Sequence, residues 1–239
     1  MFLKKSTRFH RLVTAVAAIA LGVCLLAGSF GTASASLFTG VFEQNAGPQV
    51  GDIVTFGSYE QNNDQSCTEP IEWIVLERDG SNALLLSRYC LNSVPFHDQQ
   101  VETKWADSYL REWLNDTFLN AAFSSSEREN IVSTTITTSG NPVHGTSGGR
   151  DTTDKVFLLS IDEVETYFDS DEDRRVEATA YAKRQGAQVY DTGAWWRLRS
   201  PGMFDYSVAS VYASGKIAYD GDAVSDYGCA IRPAIWVEY

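Results

Sequence analysis

The chain has 239 residues, 44% of them hydrophobic, with 31 acidic against 19 basic side chains and a formal net charge of −12. That balance speaks against a nucleic-acid partner, because a strongly acidic surface is repelled by phosphate polymers and by anionic lipid. Cysteines are few and the chain is long enough to build an apolar core without a disulfide framework.

The N-terminus reads as a secretory signal. Lys4, Lys5, Arg8 and Arg11 make a basic start, Leu12 to Phe30 is uncharged, and Ala33-Ser34-Ala35 offers small residues for cleavage. A retained anchor is the rival reading, since about 20 apolar residues can span a bilayer. The Ala and Gly content and the Ala-x-Ala step favour removal. Cleavage after Ala35 leaves 204 residues carrying 15 basic and 31 acidic side chains, a net charge of −16. The expectation is a secreted or cell-surface protein with no stable membrane span once residues 1–35 are gone.

Residues 36–49 form a short lead-in that ends at Gly47-Pro48. Gly51 to Gly57 begins a β pattern, and Ile71 to Leu76 and Ala83 to Tyr89 are apolar strands joined through Asp79-Gly80-Ser81-Asn82. Leu84, Leu85 and Leu86 are consecutive, so both faces of that strand need covering. Trp105, Tyr109, Leu110, Trp113, Leu114 and Phe118 recur at helical spacing and predict an aromatic stripe packed into the core. Ser124 and Glu127 match a capping box. From Ser133 to Asp154 the composition turns to Thr, Ser and Gly, a loop of a length that usually binds something or moves. Val156 to Leu159 resumes as a buried strand, Ser160-x-x-Glu163 caps a helix through Phe168, and Ala178 to Gln185 forms another that stops at Gly186. The remainder is β: Trp195–Ser200, Tyr206–Tyr212, Lys216–Tyr219 and Cys229–Val237. No repeat or linker interrupts the pattern, which predicts a single α+β domain over residues 50–239.

Familiar catalytic patterns are absent from the sequence. After export only His97 and His144 remain, with no zinc-type spacing, phosphate loop or nucleophile elbow around any residue. No catalytic residue, metal ligand or cofactor is assigned. Calcium stays open through Asp220, Asp222 and Asp226, which flank a Gly turn, although turn formation explains them first. The acidic run Asp169 to Asp173 lacks the glycine and the twelfth-position acid of a calcium-binding loop. Cys67 and Cys90 flank the predicted hairpin and are a candidate disulfide, which leaves Cys229 as a buried apolar residue.

Two C-terminal strings carry most of the information: Trp195-Trp196-Arg197-Leu198-Arg199-Ser200-Pro201-Gly202 and Gly228-Cys229-Ala230-Ile231-Arg232-Pro233-Ala234-Ile235-Trp236. Each sets arginine among large apolar residues, where an unpartnered charge is costly to bury. Arg199 and Arg232 are therefore read as buried braces, with Trp236 on the same strand face as Arg232. Trp195, Arg197, Asp205, Tyr206, Tyr212 and Tyr219 are read as an exposed aromatic-polar face for an extracellular glycan or protein.

Taken with Gly51 to Tyr59, Pro70 to Leu76, Ala83 to Ser87, Ser108 to Asn115 and Asp154 to Ser160, these strings resemble a large uncharacterised family of bacterial extracellular domains. The closing strings are also similar to those of C-type-lectin-like domains, including the formylglycine-generating-enzyme branch. That resemblance implies a mixed fold with small twisted antiparallel sheets, a few short helices and long loops that display a ligand. The cysteine pair with which those oxidases hold copper has no counterpart between Tyr206 and Tyr227, and the sugar-binding tripeptides of calcium-dependent lectins are missing. The reading is a secreted, non-enzymatic binding module. A diverged oxidase or hydrolase on the same fold, or an envelope structural protein, remains the alternative.

Overall fold

The computed structural model describes residues 47–64 and 67–239. The expected signal segment and most of the lead-in lie outside these residues. Among those described, no helix is long and apolar enough to cross a membrane.

Strands β1 (Ile53–Tyr59), β2 (Glu69–Asp79) and β3 (Asn82–Ser87) form an antiparallel meander. The β2–β3 hairpin closes at Asp79 opposite Asn82, with Gly80 at φ +59°, a left-handed conformation that costs glycine nothing. Ile71, Trp73 and Val75 alternate into the core, whereas Leu84, Leu85 and Leu86 are all buried because β3 is covered on both faces. The short β4 (Asn92–Ser93) follows.

The expected helix from Trp105 to Phe118 is broken in phase. Trp105 lies in a separate single turn, and Ser108 then caps a new helix by accepting a hydrogen bond from the Arg111 amide at 3.1 Å. That helix runs through α1 (Tyr109–Trp113), a π-helical stretch at Leu114–Phe118, and α2 (Leu119–Ala122). Leu110, Leu114 and Phe118 are buried, while the new phase leaves Tyr109 43% exposed. The Ser124–Glu127 capping box opens α3 (Ser125–Asn130). The Thr/Ser/Gly segment is shorter as a loop than expected, because its ends pair as β5 (Thr134–Ile136) and β6 (Thr152–Asp154). Next come β7 (Val156–Phe157), α4 (Ile161–Tyr167) behind its Ser160–Glu163 box, α5 (Asp171–Arg174) and α6 (Ala180–Arg184). The C-terminal part contains β8 (Val189–Tyr190), β9 (Gly193–Ala194), β10 (Trp196–Pro201), β11 (Ser207–Val211), β12 (Ile217–Ala223), β13 (Ala230–Ile231) and β14 (Ala234–Glu238).

These strands build two five-stranded sheets, in the orders β1-β2-β3-β14-β7 and β12-β11-β10-β13-β4, with two small ribbons beside them. The pairings are antiparallel except β10 with β13. The fold is of the α+β class. Between Ile231 and Ala234 the chain leaves one sheet and enters the other, so the Ile-Arg-Pro-Ala string is a corner joining both.

Arg199 fastens this assembly from within. It is 3% exposed, and its guanidinium donates to the Leu158 and Thr137 carbonyls, to Thr138 Oγ1 and to both oxygens of Glu163. Glu163 also completes the α4 cap by accepting from the Ser160 amide at 2.8 Å. One carboxylate thus ties a helix start to the central strand of a sheet. Removing one partner of a buried charge pair leaves the other uncompensated and costs about 3–5 kcal/mol. Glu163→Ala should lower stability by about that amount in urea unfolding followed by circular dichroism. Arg199→Met should cost less, because the partly exposed carboxylate left behind can hydrate. Unchanged midpoints for both variants would refute the clasp.

Candidate functional site

The β10–β11–β12 sheet sets the geometry of the candidate site. Arg197 lies opposite Ser210, and Asp222 lies opposite Val208 across a register shift in β12. Trp195, just ahead of β10, meets Tyr212, just beyond β11, with ring centroids 5.1 Å apart and tilted by 46°. The indole Nε1 donates to Ser210 Oγ at 2.9 Å, and that hydroxyl donates to Asp222 Oδ2 at 2.8 Å. The Cys229 thiol lies 3.5 Å from the same carboxylate oxygen. A half-buried tryptophan is therefore held in one orientation by a polar relay, beside a tyrosine that is 41% exposed.

The six residues expected to form one exposed face occupy three places and two depths. Arg197 is fully buried, a correction to its expected exposure. The cause is the segment after β12: Arg197 Nη2 donates to the Asp226 carbonyl at 2.8 Å, which closes that segment over the guanidinium. Its Nε and Nη1 find no acceptor among the described residues. Asp205 and Tyr206 sit in the β10–β11 turn, where Tyr206 stacks on Phe204 at 5.2 Å and 12°. Tyr219 lies elsewhere again, packed against the core with its hydroxyl donating to Glu165 on α4. Sequence reasoning missed Ser210 and Phe204. A serine inside an apolar strand and an apolar pair at a turn were the available signals.

Arg232 is 2% exposed at the sheet-to-sheet corner, its Nε donating to the Ser87 carbonyl at 3.0 Å. Its guanidinium lies over the Trp196 and Phe168 rings at 5.0 and 5.7 Å. Trp236, half-buried on β14, pairs with Leu84 of β3.

The expected Cys67–Cys90 bridge is not formed. Cys67 is at the surface with its Sγ 3.5 Å from Asp64 Oδ2, whereas Cys90 is a fully buried thiol beyond the end of β3. Burial pushes the Cys90 thiol up to about 12 from 9.0, and also raises Cys229, where the nearby Arg197 charge opposes the shift. Both are weak nucleophiles, because the thiolate is the reactive form.

The three aspartates considered for calcium have separate partners. Asp220 faces His144 Nε2 at 2.6 Å, Asp222 takes the Ser210 hydroxyl, and Asp226 Oδ1 accepts from the Gly228 amide at 2.8 Å. No group of three His, Cys, Asp or Glu among the described residues is arranged to hold a metal ion. A concavity of about 360 Å³ runs along α1 past Asp107, Glu112 and Asp116. Its buried carboxylate, Asp154, already accepts from Arg111 Nε, Trp105 Nε1 and Thr152 Oγ1.

The thiols make a pH prediction. A buried acid with a raised pKa stays protonated in the folded state while the unfolded chain ionises, so stability falls as pH rises. For Cys90 that loss starts near 9 and continues to about 12. Thermal melts at about pH 8 and pH 10.5 should show the drop, and Cys90→Ala should reduce it. In native protein at about pH 8, Cys90 and Cys229 should resist iodoacetamide and react only after denaturation. Rapid native labelling of either would contradict their placement.

No curated protein and no solved structure matches the chain. Residues 80–239 do match a family described as "Domain of unknown function (DUF6273)", which spans both C-terminal sheet strings and α1–α6. The chain belongs to that family of domains of unknown function.

Proposed function

We propose that this protein is a secreted, non-enzymatic recognition module of C-type-lectin-like fold, and that it binds an extracellular glycan on Trp195 and Tyr212. The observation that carries this reading is the fixed aromatic pair itself. Trp195 is locked by its relay to Ser210 and Asp222, and Tyr212 lies against it with its outer edge in solvent. Rings already held in place spend little ordering entropy when a sugar stacks on them. Asp222 adds an acceptor for hydroxyl groups at the inner side of the pair.

Three further features support the reading. The basic start, the apolar stretch and Ala33-Ser34-Ala35 fit export. The closing strings are similar to those of C-type-lectin-like domains. The buried thiols suit packing better than covalent chemistry.

Binding of the purified secreted protein to a glycan array identifies the ligand, and calorimetry on the best sugar then measures affinity. Trp195→Ala and Tyr212→Ala should each weaken binding by about 2 kcal/mol, roughly thirtyfold, in protein that circular dichroism shows to be folded at the temperature of the measurement. Sugar binding that is identical in both variants would exclude this face. Mass spectrometry of the exported protein should find Ser36 at its N-terminus, and retention of residues 1–35 in a membrane fraction would overturn soluble export.

A further inference from the structure

We propose that the β10–β11 turn is a docking tip for a basic segment of a partner protein, whose lysine or arginine side chains stack on Phe204 and Tyr206 and pair with Asp205 and Asp220. This surface is separate from the Trp195–Tyr212 pair, and the proposal does not rest on glycan binding.

The turn exposes what a turn ordinarily hides. Met203, Phe204 and Tyr206 are 45%, 47% and 44% exposed, and the two rings lie nearly parallel at 5.2 Å. Beneath them the backbone is pinned at residue after residue. The Met203 amide donates to the Asp220 carbonyl at 2.8 Å, and the Phe204 amide donates to Ser207 Oγ at 2.9 Å. From one side the Thr103 amide donates to the Asp205 carbonyl at 2.9 Å, and Gln100 Nε2 to the Tyr206 carbonyl at 3.0 Å. From the other, Thr146 Oγ1 donates to the Met203 carbonyl at 3.0 Å, and Asn141 Nδ2 to the Pro201 carbonyl at 2.9 Å. Gly202 is required here, since a Cβ would stand 2.5 Å from the Asp220 carbonyl oxygen and from Ser207 Oγ.

Two loops far apart in sequence thus converge to hold three apolar side chains out of the core. Folding stability alone gives no reason to expose them, and a rigid apolar tip binds without a further ordering cost. The Thr/Ser/Gly segment that looked like a mobile or binding loop is one of the two buttresses.

Charge identifies the occupant. The Asp205 and Asp220 side chains on the rim are 49% and 78% exposed, and the groups touching them, the Lys104 ammonium and the His144 ring, leave much of each carboxylate open. Aromatic faces flanked by carboxylates attract guanidinium and ammonium groups. The chain as a whole carries −12, which repels anionic lipid and a second copy of itself. A basic protein segment with apolar stems satisfies both the rings and the rim.

The test uses the secreted protein and two fluorescein-labelled peptides, one alternating arginine with leucine and one alternating glutamate with leucine, read by fluorescence anisotropy. The arginine peptide should bind and weaken as salt rises from about 50 to 300 mM. The Phe204→Ser/Tyr206→Ser double variant, whose changes lie at the surface, should weaken it by about tenfold or more. Asp205→Asn/Asp220→Asn should weaken it too and remove much of the salt dependence, while Trp195→Ala should bind as the parent does. Equal binding by the aromatic double variant, or equal binding of the glutamate peptide, overturns the proposal. So does binding to zwitterionic vesicles, or a parent dimer in sedimentation, that the aromatic double variant abolishes.

Discussion

A guanidinium taken out of water costs several kcal/mol unless neighbouring acceptors replace its hydration; Arg199 meets that requirement fully, whereas Arg197 and Arg232 meet it in part. Arg199 meets it with two carbonyls, a hydroxyl and a carboxylate, and it also lies over the Phe157 ring at 5.8 Å. Those acceptors belong to α4, to the strand end before it and to the segment after β5. Satisfying one side chain therefore fixes three pieces of chain against β10. Glu163 makes the coupling tight, because the same carboxylate caps α4 and neutralises the arginine.

Arg232 meets the requirement only in part, since its Nη1 finds no acceptor among the described residues. Among the described residues its acceptor is the Ser87 carbonyl, joined by two aromatic faces, and burial lowers its pKa to about 10. Its position explains why the charge is tolerated. Where the chain leaves β13 for β14, the two sheets must share a corner, and Pro233 has no amide to pair there. The Ser87 amide donates to the Pro233 carbonyl at 2.9 Å while the arginine takes the Ser87 carbonyl, so one residue of β3 is gripped by both residues of the corner.

Rigid sheets let the irregular connections hold apolar groups at the surface. Gly148 shows how closely the loops are folded, because a Cβ there would fall 1.8 Å from the Thr138 carbonyl oxygen. Trp195 and Tyr212 lie at one end of the β10–β11 pair, while Phe204 and Tyr206 lie at its turn. The two aromatic pairs differ in surroundings: the first has a hydrogen-bonded relay suited to hydroxyl groups, and the second has open carboxylates suited to cations.

Local patterns determined the parts whose physics is local. The Ser124–Glu127 and Ser160–Glu163 boxes cap helices, Gly80 turns a hairpin, Gly186 follows the end of α6, and the three consecutive leucines of β3 are buried on both faces. The α+β class followed from the order of those patterns. Tertiary structure decided what depends on distant neighbours. Arg197 and Arg199 share one strand parity, yet Glu163 clasps Arg199 while the segment around Asp226 covers Arg197. Tyr206, Tyr212 and Tyr219 share a composition but diverge onto a turn, a strand end and a helix-facing side. Cys67 and Cys90 flank a hairpin, but one ends at the surface and the other inside. Strand alternation states which way a side chain points; only the long-range closure of loops states what, if anything, lies on top of it.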